Sequence, residues 1–251
     1  MAVKKINMKK EEIFDLSGKV AIVTGGAGHL GTAMSEALRE AGAEVIVASR
    51  NSECKLDISS RESIKDCFAD VAKKYGKIDI LVNNASYGAA NDLEHLTDEE
   101  WQKSFDGIVA SAFRTTQEII PYMKESGGAI INIASMYGIV SPDLSIYGDK
   151  MMVHPANTAS AKAALIHFTK YCAVALAKYK IRVNAISPGP FPKPEVEEKY
   201  DWFIKKLSDK NPTGRIGQPD ELKGAVVFLA SDSASYVTGH NLVVDGGWTI
   251  W

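Results

Sequence analysis

The chain has few cysteines and no pattern of residues that is typical of a metal site. Three cysteines (Cys54, Cys67 and Cys172) occur among 251 residues, an odd number without metal-ligand spacing. There is no HExxH, no CxxC and no cluster of carboxylates, so we expect no bound metal. So low a cysteine content is typical of a reducing compartment and predicts a cytoplasmic protein.

Long apolar runs and a strong charge of either sign are also lacking. No run approaches the ~20 residues that span a bilayer, and the N-terminal MAVKKINMKKEEIFDL has no apolar core of signal-peptide length. The net charge of -2 gives no basis for a nucleic-acid partner or an anionic membrane. With 45% apolar and 24% charged residues, the composition is ordinary for a globular protein of one domain.

Seven short apolar runs alternate with helical segments along the chain. The runs are continuously apolar rather than alternating, which is typical of parallel strands covered on both faces. We therefore predict a doubly wound α/β fold, with an N-terminal arm over residues 1–17 and a single domain over residues 18–251. The predicted strands are KVAIVTGG, EVIVASR, CKLDIS, IDILVNNAS, GAIINIAS, IRVNAIS and NLVVDGG.

The helical segments between these strands carry start and stop residues. An alanine-rich helix is expected from about Asn157 to Lys178, and a long helix is expected to open at a Thr97/Asp98 cap and run to Lys124. The region 188–213, here called the flap, holds five of the nine prolines. It lies at the edge of the sheet where ligands bind in such folds, so it is either a lid over the site or a plain connection.

The glycine-rich segment TGGAGHLG, residues 24–31, directly follows the first strand and opens a helix. Gly26, Gly28 and Gly31 satisfy G-x-G-x-x-G, and Gly25 and Leu30 complete the loop. Such a loop lets the backbone approach a dinucleotide pyrophosphate, whose charge then sits at a helix N-terminus. The alternative is a structural turn. His29 either adds a donor beside the pyrophosphate or caps the loop.

The end of the second strand favours NADP(H) over NAD(H). A carboxylate at this place would bond a ribose 2′-hydroxyl, but the chain has Ser49 and Arg50. An arginine donates a forked pair of hydrogen bonds that suits a 2′-phosphate. The alternative is that Arg50 is only a surface residue.

Together these motifs resemble the short-chain dehydrogenase/reductase family over about residues 15–250. The resemblance implies a Rossmann-like fold with seven parallel strands, a nicotinamide cofactor, a small-molecule substrate, and a homotetramer or homodimer. The segments that carry it are TGGAGHLG (24–31), LDI (56–58), NNAS (83–86), INIAS (131–135), ASAKAALIHFTKY (159–171), IRVNAISPGP (181–190) and GHNLVVDGG (239–247).

The resemblance also implies roles for individual residues. Ser135 would polarise the substrate oxygen, and Lys162 would bond the nicotinamide ribose and lower the pKa of a neighbouring tyrosine. The remaining cofactor contacts would be Asp57 and Ile58 at the adenine, Asn84, Ala85 and Ser86 at the ribose, and Pro188 and Gly189 at the nicotinamide.

The chain departs from the family pattern at the residue that moves the proton. The family motif Tyr-x-x-x-Lys is here Thr158-Ala-Ser-Ala-Lys162, and Gly107 stands where we place the asparagine of the family's proton relay. A phenol near pKa ~10 can be drawn toward neutrality by an ammonium, whereas an aliphatic hydroxyl is a much weaker acid. Thr158 can therefore at best position a water molecule.

A loop between Ser135 and Thr158 is longer than usual in the family and carries Tyr137, Tyr147 and His154. Some members linked to sugar metabolism have a similar YG…PD…IY loop. Either Tyr147 or His154 serves as the acid, or neither does. Three interpretations follow: an oxidoreductase acting on a small polar, sugar-like carbonyl or alcohol; a cofactor-binding pseudoenzyme with a regulatory or assembly role; or an enzyme in which threonine is an introduced substitution.

Overall fold

The structure, a computed structural model, describes residues 13–148, 151 and 153–251. Its centre is a parallel sheet in the order β3-β2-β1-β4-β5-β6-β7, which confirms the predicted seven-stranded, doubly wound α/β fold. The strands are β1 Val20–Thr24, β2 Glu44–Ser49, β3 Cys54–Lys55, β4 Ile80–Asn83, β5 Gly128–Ile133, β6 Ile181–Pro188 and β7 Asn241–Val244.

Helices cover both faces of this sheet. Successive side chains of β1 enter two different cores: Val20 and Ile22 belong to one, and Ala21 and Val23 to the other. Both faces are therefore buried, which explains the continuous apolar runs. The helices are α1 His29–Glu40, α2 Arg61–Tyr75, α3 Asp98–Phe105, α4 Ser111–Met123, α5 Ala156–Leu176, α6 Pro194–Lys199, α7 Asp201–Lys210 and α8 Lys223–Ala230.

The long helix predicted from Thr97 to Lys124 is interrupted. It begins as expected, with the Thr97 hydroxyl accepting the backbone N–H of Glu100 at 3.2 Å. Between α3 and α4, however, residues Asp106–Ala110 form a π-helical segment. An inserted residue of this kind bulges the helix and often lies at a functional site.

The structure adds detail at the predicted N-terminal arm and at the flap. Residues 1–12 of the predicted arm lie outside the described residues, but Leu16 is fully buried in the core and its N–H donates to Ala41. The flap, predicted as either a lid or a plain connection, contains α6 and α7.

The structure contains a disulfide bond that the sequence did not predict. Cys54 on β3 and Cys67 on α2 are bonded, with Cα atoms 6.1 Å apart, while Cys172 is free and buried. In the part of the chain that the structure describes, no helix is both long and apolar enough to cross a bilayer. Within those same residues, no three His, Cys, Asp or Glu side chains are grouped to hold a metal ion.

Candidate active site

A cavity of about 890 Å³ opens at the carboxyl edge of the sheet. Parallel strands deliver their ends to this edge, so residues far apart in sequence meet there. The cavity brings together nearly all the site residues predicted from the sequence, except that Gly26 and Tyr147 do not line it. Those that line it are Gly25, Gly28, His29, Leu30, Gly31, Ser49, Arg50, Asp57, Ile58, Asn84, Ala85, Ser86, Ser135, Thr158, Lys162, Pro188 and Gly189.

The glycine loop forms a cradle in which side chains have no room. A β-carbon at Gly31 would overlap the carbonyl oxygen of Gly25, and one at Gly26 would lie 2.8 Å from the Ser35 hydroxyl. Helix α1 begins immediately after Gly28, so its N-terminal backbone N–H groups face this end of the cavity. These features fit the pyrophosphate of a dinucleotide. His29 Nε2 is buried without a hydrogen-bond partner among the described residues.

Thr24 and Asn84 hold the loop in place. The Thr24 hydroxyl accepts the backbone N–H groups of Asn84 and Ala85, both at 3.0 Å. The Asn84 amide in turn donates to the carbonyl oxygens of Thr24 at 3.0 Å and Gly25 at 2.9 Å. The side chain of Asn84 therefore braces the glycine loop, a contact that sequence reasoning missed.

Ser49, Arg50 and Asp57 line the adenosine end of the cavity. The Asp57 carboxylate accepts the hydroxyl of Ser59 at 2.7 Å and its N–H at 2.9 Å. These hydrogen bonds, with a smaller contribution from the Arg50 charge, lower the pKa of Asp57. Arg50 is exposed at the rim, where its guanidinium is accessible to a ligand.

Lys162, Ser135 and Thr158 form the opposite end. Lys162, on the second turn of α5, is half-buried and donates to the carbonyl oxygen of Ile133 at 2.6 Å. Burial lowers its pKa to about 8, because the surrounding protein disfavours the ammonium. The Ser135 hydroxyl accepts the N–H of Tyr137 at 3.1 Å, and Thr158 lines the cavity from the first turn of α5.

The loop after β5 contributes its histidine to the cavity wall, whereas its two tyrosines do not line the cavity. Tyr137 and Tyr147 are buried, and their hydroxyls lie 3.3 Å apart. Burial raises the pKa of both phenols, the opposite of what an acid at neutral pH requires. His154 lines the cavity, and its ring lies 4.5 Å from that of Tyr137.

Gly107 lies where no side chain fits. A β-carbon there would overlap the backbone carbonyl of Tyr87, whose hydroxyl donates to Asp106. Asp106 also pairs with Arg114 at 2.8 Å, which fixes the π-helical segment against this loop. An asparagine at position 107 would therefore require the Tyr87 backbone to move.

The chain matches known proteins over nearly its whole length. A family model described as Enoyl-(Acyl carrier protein) reductase matches residues 25–249. The 3-oxoacyl-[acyl-carrier-protein] reductase FabG of Thermotoga maritima is 34% identical over 254 residues, covering 94% of this chain and 99% of that protein.

Solved structures also match the chain over nearly its whole length. A short-chain type dehydrogenase/reductase from Mycobacterium marinum is 32% identical with a TM-score of 0.86, covering 97% of this chain and 100% of that chain. A gluconate 5-dehydrogenase from Burkholderia cenocepacia in complex with NADP and tartrate is 28% identical with a TM-score of 0.86, covering 96% and 99%. The chain belongs to the short-chain dehydrogenase/reductase family, whose members are NAD(P)-dependent oxidoreductases.

Proposed function

We propose that this protein is an NADP(H)-dependent oxidoreductase that interconverts a small polar, sugar-like carbonyl compound and its alcohol. One observation carries the proposal: a single cavity joins the glycine cradle and the N-terminus of α1 to Ser135 and Lys162. A dinucleotide whose pyrophosphate lies at α1 would extend along this cavity toward Pro188 and Gly189.

The residues at the two ends of the cavity have separate tasks. The bound nicotinamide supplies or accepts the hydride. Ser135 would donate a hydrogen bond to the substrate oxygen and so polarise it. Lys162 would bond the nicotinamide ribose, and with a pKa of about 8 it is mostly charged at neutral pH. Thr158 lacks the acidity of a phenol, and loss of general acid–base help commonly costs about 10²–10⁴ in rate.

The preference for NADP(H) rests on Arg50 beside Ser49 at the rim of the adenosine end. Charge-assisted hydrogen bonds contribute about 1.5–3 kcal/mol, so Arg50→Ala should weaken NADPH binding about tenfold or more and leave NADH binding unchanged. Cofactor fluorescence titration measures both constants. Lys55→Ala is the control, because Lys55 is exposed on β3 and does not line this cavity. Equal affinity for the two cofactors in the unsubstituted protein would refute the preference.

The sugar-like substrate class is supported by the loop between Ser135 and Thr158, which carries the YG…PD…IY pattern and, beyond that pattern, contributes His154 to the cavity wall. It is also supported by the gluconate 5-dehydrogenase with a similar structure. Lys103 and Lys193, which the sequence did not single out, also line the cavity and would suit a polar or acidic substrate. The test is NADPH oxidation with keto sugars, keto sugar acids and apolar ketones. Turnover of apolar ketones alone would exclude the sugar-like class.

A second candidate is a cofactor-binding protein with little catalysis. The combination of Thr158 with the side-chain-free position 107 favours it. Thr158→Tyr separates the two functions. A protein that binds NADPH without turnover, and gains turnover with Thr158→Tyr, would be the pseudoenzyme or the altered enzyme rather than an active oxidoreductase.

We also infer a homo-oligomer, either a tetramer or a dimer. On α4 and α5, the apolar side chains of Phe113, Tyr171 and Val174 are 43%, 69% and 81% exposed. Exposed apolar residues grouped on neighbouring helices are typical of an interface. Sedimentation of the protein, with and without Val174→Glu, tests this inference, and a monomer would overturn it.

The cytoplasmic location also remains a proposal. Three cysteines in the chain support it, whereas the Cys54–Cys67 bond is more typical of an oxidising compartment. Thiol labelling of the protein in intact cells decides this point. Blocked cysteines would place the protein outside the reducing compartment.

A further inference from the structure

Among the described residues of the loop after β5, His154 combines a titratable group with a place on the wall of the active-site cavity, which Thr158 also lines. We propose that His154 exchanges the proton with the substrate oxygen, in the place that Thr158 leaves without an acid. The proposal rests on the proposed function, since it assigns a residue to the same reaction.

The position of His154 is the first argument. It lines the cavity together with Ser135, Thr158 and Lys162. Its Nε2 atom is buried and has no hydrogen-bond partner among the described residues. A buried imidazole nitrogen without a partner costs free energy, so such an atom in a native structure needs an explanation. The imidazole lines the cavity, so a rotation of the ring about its Cβ–Cγ bond would turn this nitrogen toward a substrate oxygen bound there.

The packing around His154 is the second argument. The ring of Tyr137 lies 4.5 Å from the imidazole, and the Tyr147 hydroxyl lies 3.3 Å from the Tyr137 hydroxyl. Neither tyrosine lines this cavity. The Tyr137 ring therefore packs against the imidazole, and neither phenol is placed to contact a substrate in this cavity.

The charge around His154 is the third argument. Among the described residues, the Lys162 ammonium on α5 acts on the imidazole through its charge, and the neutral Tyr137 ring lies against it. The neutral Tyr147 phenol lies near the backbone of His154. Burial, and then the Lys162 charge, lower its pKa to about 4. The imidazole is therefore neutral at neutral pH, with a ring nitrogen able to accept a proton.

The proton step balances in both directions. In alcohol oxidation, the carbinol carbon loses a hydride to oxidised nicotinamide, the C–O bond becomes a carbonyl, and the hydroxyl proton passes to the imidazole. In carbonyl reduction, the carbon gains a hydride from reduced nicotinamide and the oxygen takes a proton from the imidazolium. The imidazole then recovers a proton from water.

The pH dependence follows from these protonation states. The imidazole is almost entirely neutral above pH ~5, so kcat/KM for oxidation should not change with the protonation of His154 at higher pH. The imidazolium fraction falls tenfold per pH unit above its pKa, so kcat/KM for reduction should fall about tenfold from pH 6 to pH 7. A proton supplied by Lys162 would instead hold the reduction rate constant up to pH ~8.

The experiment uses the full chain with NADPH and the substrate from the panel above. His154→Gln, which keeps a hydrogen-bonding group but does not titrate, should lower kcat about 10²–10⁴-fold, remove the tenfold fall per pH unit, and change the Kd of NADPH less than twofold. His167→Asn is the matched control, because His167 is exposed on α5, and it should keep wild-type kinetics.

A second variant and a second measurement distinguish the loss of a proton-transfer group from a failure of the variant to fold. Adding Thr158→Tyr to His154→Gln should restore turnover, because a phenol then provides another route for the proton. In the NADP-bound protein, histidine NMR should show a resonance that titrates near pH 4 and is absent from His154→Gln. Retention of activity within threefold in His154→Gln, or an unchanged pH profile, would overturn the role of His154. A wild-type protein that binds NADPH but turns over no substrate would instead overturn the proposed function, and this inference with it.

Discussion

The burial of Lys162 should make the protein less stable than a variant that has an uncharged side chain at this position. Its pKa falls from 10.5 to about 8 because the folded protein disfavours the ammonium. Each pKa unit corresponds to about 1.4 kcal/mol, so the charged lysine costs about 3 kcal/mol at neutral pH. Lys162→Met removes this cost and loses the hydrogen bond to Ile133. We expect a net gain in the free energy of unfolding of about 1–3 kcal/mol at pH 7.

The gain should disappear at high pH, and its direction follows from proton linkage. Between pH ~8 and 10.5 the unfolded chain holds the Lys162 proton and the folded protein has released it. The unfolded state then binds more protons, so wild-type stability rises with pH across this window relative to Lys162→Met. Below pH 8 both states are protonated and the difference between the two proteins is constant.

Urea unfolding of wild type and Lys162→Met from pH 7 to 10 measures the effect, with pairs compared at each pH because other groups also titrate. Lys170→Met is the control, since Lys170 is exposed on the same helix and its loss should leave stability within about 0.5 kcal/mol. A difference between wild type and Lys162→Met that stays constant from pH 7.5 to 10 would refute the reasoning, as would a destabilised Lys162→Met at pH 7.

Three further predictions follow from the fold. Gly31→Ala should weaken NADPH binding more than tenfold and destabilise the protein by about 1–3 kcal/mol, because the added carbon overlaps the Gly25 carbonyl; fluorescence titration and urea unfolding measure these effects. Gly107→Asn should lower the unfolding midpoint without raising turnover, because its β-carbon meets a backbone carbonyl. Reduction of the Cys54–Cys67 bond should cost about 2–3 kcal/mol of stability, read as a lower Tm in dithiothreitol.

Each of these predictions has a contrary outcome, and two of them have a control. Gly224→Ala, in an open position on α8, should keep cofactor binding and gain about 0.5–1 kcal/mol from helix propensity. Unchanged NADPH affinity in Gly31→Ala would contradict the tight cradle. A more active Gly107→Asn would mean that the Tyr87 backbone moves easily. A Tm that does not respond to dithiothreitol in wild type, relative to Cys54→Ser, would show that the bond contributes nothing.

The fold could be predicted from local pattern because each strand is buried on both faces. Such strands are continuously apolar, and β1, β4 and β5 can be recognised in the sequence as short apolar runs. The π-helical segment could not be predicted in this way. At Gly107 it lies against the Tyr87 backbone, a segment that is separate in the sequence, and local pattern does not show such a contact.

The site was predictable in its residue types but not in its arrangement. The glycine loop, Ser135 and Lys162 have recognisable local sequences, and all three line one cavity. Tyr147 and His154 looked equivalent in the sequence, since both are titratable residues in one loop. Only packing distinguishes them, because it buries the phenol against Tyr137 and leaves the imidazole on the cavity wall.

The sequence by itself determined the order of strands and helices, the dinucleotide loop and the absence of a phenol at position 158. Each of these depends on residue identity or on spacing along the chain. The tertiary structure decided which side chains share the cavity, the low pKa values of Lys162 and His154, and the bond between Cys54 and Cys67. Burial and proximity control all of these properties, and both arise only when distant segments of the chain pack together.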